Sequence, residues 1–421
     1  MLLRIFASNF LSFKEEVDFS FSTKYNENSN TAFTIEKEYG KKKKNYAVNK
    51  VSAIYWANAS WKTNLLKVIR FIKDMILYSH NQNFSPSILW FKPYLLNTEY
   101  NDSKFGVDFF IDNTLYSYYY TINSKTDKIL EEGLLEYKTQ KATALFKRKL
   151  QQFTFSEDFA AEWKIRKDFV RDNSLALSVF SNMSWEISSK IWNFFREKIH
   201  IFQIENTAPW IPWQFNMSDT ITMIDKYPQD FWSFLQNFLL SADININKMD
   251  YKIEEKSITS PTSQGDGKIK IFSNTFNHSV YDNDWNKVKE INFTPEFEST
   301  WTNRLVSLSW SFYNVIKNWM ALFIDELDSS LHPLLLKEII RIFNSNNNNL
   351  DWQLVFTSHD VSLLDDKHIL PNDQVWFVDK NKKWESSLYS LGDYNWLNRI
   401  KSIEKAYLLW KFDAIPHTET I

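Results

Sequence analysis

The 421-residue chain has no cysteine, which excludes disulfide cross-links and thiolate metal sites. No apolar run approaches the roughly 20 residues that a helix needs to span a bilayer, so a soluble, cytoplasmic protein without membrane partners is expected. The start, Met1-Leu2-Leu3-Arg4-Ile5-Phe6, alternates like a strand. It lacks the basic region, long apolar stretch and small-residue cleavage site of a signal peptide. Excess charge of either sign is missing too. A net charge of −2 gives no global attraction to nucleic acid and leaves only a local basic patch as a route to it. Glycine is the abnormal count: the chain has 6 Gly against 18 Trp, where average usage of about 7% would give roughly 29 Gly. Glycine serves wherever the backbone needs a positive φ or must approach a ligand closely. A chain of this size is hard to build with six, and the positions of the tryptophans become informative.

What is present is ordinary in bulk, with 44% hydrophobic and 24% charged residues, and the length exceeds what one hydrophobic core usually fills, so two lobes or a core with a large insertion are expected. Residues 1–25 read as two short strands around Asn9-Phe10-Leu11-Ser12-Phe13. Val51 to Tyr55 is a short buried strand, and Thr63 to Tyr78 carries apolar residues at helical spacing. Val107 to Ile111 and Leu115 to Ile122 flank Asp112-Asn113, which suggests an antiparallel hairpin. Residues 170–250 read as mainly helical. Ser257 to Lys268 is the clearest loop and closes the middle section. The final third alternates short apolar strands with helices, the pattern of a parallel sheet. There is no internal repeat and no sustained heptad pattern, which argues against a long coiled-coil arm.

Two constellations carry chemistry. Residues 56–63 read Trp-Ala-Asn-Ala-Ser-Trp-Lys-Thr, a phosphate loop of the form G-x-x-x-x-G-K-[ST] with tryptophan in both glycine places. Backbone N–H groups of such a loop, including those around Asn58 and Ser60, wrap the phosphates. Lys62 reaches the β and γ oxygens, and Thr63 places a hydroxyl on Mg²⁺ at the start of a helix whose dipole adds to the field. The bland alternative is an accidental Lys-Thr after a strand. Against it stands Ala321-Leu322-Phe323-Ile324-Asp325-Glu326, an apolar strand ending in two carboxylates, a Walker B pattern. Asp325 would hold Mg²⁺, and Glu326 would orient or deprotonate the attacking water; a solvated acidic pair is the alternative. Leu354 to Thr357 then leads into Ser358-His359-Asp360, where His359 reads as a switch histidine at the γ-phosphate.

In this order the motifs resemble the ABC-type ATPases related to the overcoming-lysogenization-defect (OLD) proteins of bacterial abortive infection and other phage-defence systems, over nearly the whole chain. Asn9 to Phe13 resembles their opening strand-turn. Glu298-Ser299-Thr300-Trp301-Thr302-Asn303-Arg304-Leu305 resembles their signature, Leu327 to Pro333 their D-loop, and Tyr407 to Pro416 their closing motif. The resemblance implies an α/β P-loop NTPase of ABC/SMC-like type, with a parallel-sheet core, an antiparallel β lobe and a helical insertion. Residues 1–80 would form the N-terminal part of the core, 81–290 the inserted hairpin and helical region, and 291–421 the C-terminal part. It also implies ATP and Mg²⁺ as cofactors and a homodimer that sandwiches ATP, with Ser299 acting in trans. The chain ends shortly after these motifs, so a nuclease partner would be a separate chain. The adenine contact and the Q-loop glutamine stay unassigned.

Trp56, Trp61, Trp301, Trp319, Trp384 and Trp410 all stand where the family pattern has glycine. Taken literally, an indole at 56 or 61 occupies space that the loop and phosphates require, and nucleotide binding fails. Two readings are open. In the first, UGA codons that mean glycine in the native cell are written as tryptophan; Gly plus Trp, 6 + 18 = 24, is then near a normal glycine complement with a few true tryptophans such as Trp376. In the second, the chain is an ATPase-dead homologue. ATPase activity is therefore conditional on glycine at 56, 61 and 301.

Three functions follow: a nucleotide-controlled dimer switch in phage defence that acts on a separate effector, a DNA-repair or chromosome-associated ATPase, and an inactive scaffold. A transporter ATPase is disfavoured because the signature is not L-S-G-G-Q. The run Lys41 to Lys44 reads as a solvated hairpin tip, with contact to DNA or RNA phosphates as the alternative. The aromatic stretch from Trp185 to Trp213 reads as packing rather than base stacking, and the apolar face of a helix from Pro333 to Phe343 reads as core.

Overall fold

The computed structural model describes residues 1–23, 31–39, 42–56, 63–81, 88, 90–97, 101–157, 167–183, 186–202, 228–241, 246–259, 266–318, 320–329, 331–344, 352–394, 397 and 400–409. The chain divides into two compact units: Met1–Phe202 with Trp319–Asp328 and Leu336–Ile421, and Gln203–Asn318 with Ser329–Leu335. The expected 81–290 insert is thereby shared between them.

In chain order the first unit contributes β1 (Leu2–Ser8), β2 (Val17–Ser20), β3 (Ala32–Tyr39), β4 (Lys42–Asn49), β5 (Val51–Trp56), α1 (Thr63–Tyr78), β6 (Ser103–Ile111), β7 (Thr114–Ile122), β8 (Ile129–Tyr137), β9 (Thr143–Lys149), β10 (Gln152–Phe155), α2 (Ala176–Ser181), α3 (Glu186–Lys198) and β11 (Ile199–Phe202). The second unit contains α4 (Pro228–Ser241), β12 (Lys248–Thr259), β13 (Asp266–Tyr281), β14 (Lys287–Phe293) and α5 (Thr300–Asn318). The chain continues through β15 (Ala321–Ile324), α6 (Pro333–Asn344), β16 (Gln353–Thr357), β17 (Val375–Lys380), β18 (Ser386–Ser390) and α7 (Ile403–Leu408). Among the described residues no helix is long and apolar enough to cross a membrane.

Two large sheets organise the first unit. One is antiparallel, in the order β10-β9-β8-β7-β6-β1-β2, and the other runs β11-β15-β16-β5-β17-β18. In the second sheet every neighbouring pair is parallel except β17 with β18. A single core joins residues of both sheets with α1, whose run of branched and aromatic side chains is buried on most of its circumference. Phe10, Phe71 and Phe105 pack ring on ring, with centroids 4.9 to 5.1 Å apart, a tilted and edge-on geometry that adds to area burial. The β6–β7 hairpin turns on Asp112 and Asn113 at φ 45° and 60°, the two-residue primed turn that acidic and amide side chains tolerate.

Two expectations need correcting. Ser257 to Lys268 is not one long loop: Ser257 pairs with Lys268, Ile258 with Gly267 and Thr259 with Asp266, so the polar run is the end of a hairpin between β12 and β13. Ladder hydrogen bonds sustain it despite its turn-like composition. The mainly helical stretch hides β11, four residues that pair in parallel with β15 and widen the core sheet; a run that short cannot be told from the preceding helix by periodicity. The lysine run does lie at the end of a hairpin: Lys42 pairs with Tyr39 as the last rung between β3 and β4, Lys43 and Lys44 follow it exposed, and Lys41 lies outside the described residues. Lys43 meets Glu36 at 2.5 Å and Glu38 at 3.3 Å, and Lys44 lies over the Tyr46 ring, so part of this charge is already met within the hairpin. The polar run Asn346 to Asn349 lies outside the described residues.

Candidate functional site

Because β15, β16, β5 and β17 run parallel, their C-terminal ends fall on one edge of the sheet, where open α/β folds place their ligands. The order matters: β16 lies between β5 and β15, so the strand leading to the phosphate loop and the strand leading to the carboxylates flank the strand leading to His359.

At this edge Thr63, the first residue of α1, donates its hydroxyl to Asp325 Oδ2 at 2.9 Å. The Thr357 hydroxyl donates to Asp325 Oδ1 at 2.6 Å and accepts the backbone N–H of Glu326 at 2.7 Å. Asp325 is 5% exposed, and Glu326, half-buried, takes a left-handed φ of 50°. Next in the chain, Leu327 N–H donates to the Thr357 carbonyl at 3.0 Å. The backbone N–H of exposed His359 donates to Asp328 Oδ2 at 2.9 Å, which ties the histidine turn to the D-loop. Below the turn, Tyr55 at the end of β5 donates its hydroxyl to the Asp360 carbonyl at 3.1 Å, and burial holds that phenol well above its ordinary pKa.

The structure thus brings together Thr63, Asp325, Glu326 and His359. Asn58, Ser60, Lys62 and Trp61 lie outside the described residues, as do Trp319 and Trp410, while Trp56 ends β5 in register with Val378. Ser299 belongs to the second unit. There its hydroxyl accepts the Thr302 backbone N–H at 3.0 Å, as an N-terminal cap of α5 does. Beside it Glu298 hydrogen-bonds His278 of β13, and Asn303 reaches the Pro295 carbonyl at 2.7 Å. Trp301 lies within α5. Trp384 has a φ of 66° and is half exposed, a backbone that suits glycine and penalises an indole-bearing residue.

Sequence reasoning missed Thr357. Its only signal is a hydroxyl at the last position of an otherwise apolar strand, which looks the same whether the side chain faces the site or the opposite sheet face.

The donor set fits a hard divalent cation. Mg²⁺ is held by one or two protein oxygens together with phosphate oxygens. Here a buried carboxylate and a hydroxyl converge, and among the described residues no basic side chain pairs with Asp325. No group of three His, Cys, Asp or Glu side chains forms a metal cage among the described residues.

A family model described as "AAA domain, putative AbiEii toxin, Type IV TA system" matches residues 51–365, from β5 past His359. The chain belongs to this AAA-domain family. With the sheet order above, it is an ATPase-type protein of the AAA class with an α/β fold. A comparison with curated proteins returned no match. Among solved structures, the AAA-domain chain is similar to an SMC head domain from Thermotoga maritima at 11% identity and TM-score 0.41, covering 92% of this chain and 98% of that one. A second is an SmcHead bound to the C-winged helix domain of ScpA, at 10% identity and TM-score 0.43, covering 97% and 99%.

Proposed function

We propose that this chain binds MgATP at the sheet edge formed by β5, β15 and β16, hydrolyses it slowly, and acts as a nucleotide-controlled dimer switch in bacterial phage defence. The observation that carries this reading is the 2.9 Å hydrogen bond between Thr63 and Asp325. It joins the end of the phosphate-loop motif to the Walker B carboxylate across 262 residues of sequence. Lys62, Asn58 and Ser60 would hold the phosphates, Thr63 and Asp325 the Mg²⁺, Glu326 the attacking water, and His359 the γ-phosphate. Mg²⁺ would supply charge neutralisation at the β and γ oxygens. Ser299, at the N-terminus of α5, would meet the nucleotide of a second copy, so that ATP closes the dimer.

The defence assignment draws on the OLD-like motifs and on the family description, which names a putative AbiEii toxin. A separate nuclease would be the effector that the switch controls. The activity depends on glycine at 56, 61 and 301. The test is ATP binding and turnover by the chain as written and by a version with those three positions as glycine. Turnover only in the glycine version supports the reading, and failure of that version to bind ATP overturns it. Stimulation by DNA without any protein partner would instead favour a chromosome-associated or DNA-repair ATPase.

A further inference from the structure

We propose that Thr357 is a positioning residue of the hydrolytic site, fixing the Asp325 carboxylate and the backbone of Glu326 through one hydroxyl. This rests on the ATPase reading above. A threonine hydroxyl has one proton and two lone pairs. Here the proton goes to Asp325 Oδ1 at 2.6 Å, and a lone pair takes the Glu326 N–H at 2.7 Å. The Thr357 carbonyl accepts from Leu327 N–H at 3.0 Å, so the residues on both sides of the Glu326 α-carbon are pinned to the same neighbour.

The pinning has something to hold. Glu326 has a φ of 50°, a conformation that side-chain-bearing residues avoid unless their surroundings enforce it. That turn sets the direction in which the glutamate leaves the end of β15. Thr357 is wholly buried, so water cannot replace its hydroxyl at low cost. With Oδ1 engaged by Thr357, Oδ2 is the Asp325 oxygen on the Thr63 side, where the metal would be. Thr357 is also two residues from His359, whose N–H is bonded to Asp328. One strand end therefore contacts Asp325, Glu326, Leu327 and Asp328.

The test compares Thr357→Val, which keeps the shape and removes the hydroxyl, with Thr357→Ser, which keeps the hydroxyl. Both are made in protein that carries glycine at 56, 61 and 301. Thr357→Val is expected to lower kcat about 10- to 100-fold, the usual effect of removing a group that orients a metal ligand, with MgATP affinity changed far less. Thr357→Ser is expected to restore turnover. A purely structural threonine would lower the melting temperature of the Val variant without changing turnover per folded molecule. That result, or a Ser variant as slow as the Val variant, overturns the assignment while the ATPase reading stands. If the parent protein does not bind MgATP, the ATPase reading fails and the role of Thr357 fails with it.

From a separate observation we infer that residues 90, 285 and 384 are glycines in the protein as its own cells make it. All three have tryptophan at a left-handed φ, of 68°, 62° and 66°. Two of them sit in turns with one hydrogen-bond pattern. In the first, Asp282 N–H donates to the Asn286 carbonyl and Trp285 N–H to the Asp282 carbonyl. In the second, Asn381 N–H donates to the Glu385 carbonyl and Trp384 N–H to the Asn381 carbonyl. In each, the first side chain also accepts the N–H of the third and fifth residues. This is a hairpin loop whose fourth residue is left-handed, the position that takes glycine. Trp90 is the third residue of a turn closed by Phe91 N–H to the Ile88 carbonyl, another place for glycine.

The three indoles bury little, with exposures of 74%, 82% and 50%. Trp192, Trp352 and Trp376 behave otherwise. The first two donate Nε1–H to the carbonyls of Leu77 and Phe343 at 3.1 and 2.9 Å, and Trp376 packs on Phe19. Tandem mass spectrometry of peptides from protein purified from its native cells decides the matter. Glycine at 90, 285 and 384 with tryptophan at 192, 352 and 376 is expected, and tryptophan at any of the first three overturns the inference.

Discussion

The six-stranded sheet of the first unit and the three-stranded sheet of the second follow the same ladder rules but use their side chains in opposite ways. Every residue of β15 and β16 is buried, whereas β14 is exposed along all but its last residue. The buried strands are short: β15 is purely apolar, and β16 is apolar between Gln353 and Thr357, as befits strands covered on both faces. β12 to β14 pair over a long antiparallel register. Burial on both faces also suits the first sheet to frame the proposed site, where hydrogen bonds join Asp325 to Thr357 and Thr63 at the strand ends.

Substitutions at the two sheets should differ widely in their effects. In protein that carries glycine at 56, 61 and 301, Glu326→Gln should reduce ATP turnover about 10²- to 10³-fold, as loss of a positioned acid–base group does, with nucleotide binding retained in an equilibrium titration. An equal loss of binding would mean that the β15 edge is a structural rather than a hydrolytic end. Phe323→Ala, in the middle of β15, should cost about 3–5 kcal/mol, read from urea unfolding of the first unit. On β14, Val288→Ala should stay within about 0.5 kcal/mol, because Val288 is 61% exposed; equal costs at the two sites would remove the contrast.

A pH titration sharpens it further. His200 on β11 is depressed to about 4, first by burial and second by Lys73, against an ordinary value near 6.5. The unfolded chain therefore takes up a proton near pH 6.5 that the folded chain resists until about pH 4. Stability should fall as pH drops through that window, and His200→Gln should flatten the fall in acid unfolding curves. The smallest expected effect is at Lys287, whose exposed pairing with Glu290 should make Lys287→Gln nearly silent in the same assay.

Much of the fold and site was legible in the sequence. The strand at 51–55, the helix from Thr63, the apolar run into Asp325-Glu326 and the strand into His359 each carry their own pattern, because a buried parallel strand followed by polar residues at its end is a local signal. The Asp112-Asn113 hairpin was legible for the same reason. β11 was not, since four residues after a helix have no period of their own. The extent of β12 and β13 was not either, since their tips are polar and pairing is decided by the partner strand.

The sequence alone determined which chemical groups this protein has: no thiol, two adjacent carboxylates after an apolar strand, a lysine and threonine before a helix, and tryptophans in places built for glycine. It could do so because each of those is a statement about neighbours in the chain. Only the tertiary structure decided that β16 lies between β5 and β15, that Thr357 bridges Asp325 and Glu326, and that residues 90 and 285 as well as 384 are left-handed. Strand order, a hydrogen bond across 32 residues and the sign of φ in a turn arise from packing and loop closure, which no local pattern of side chains records.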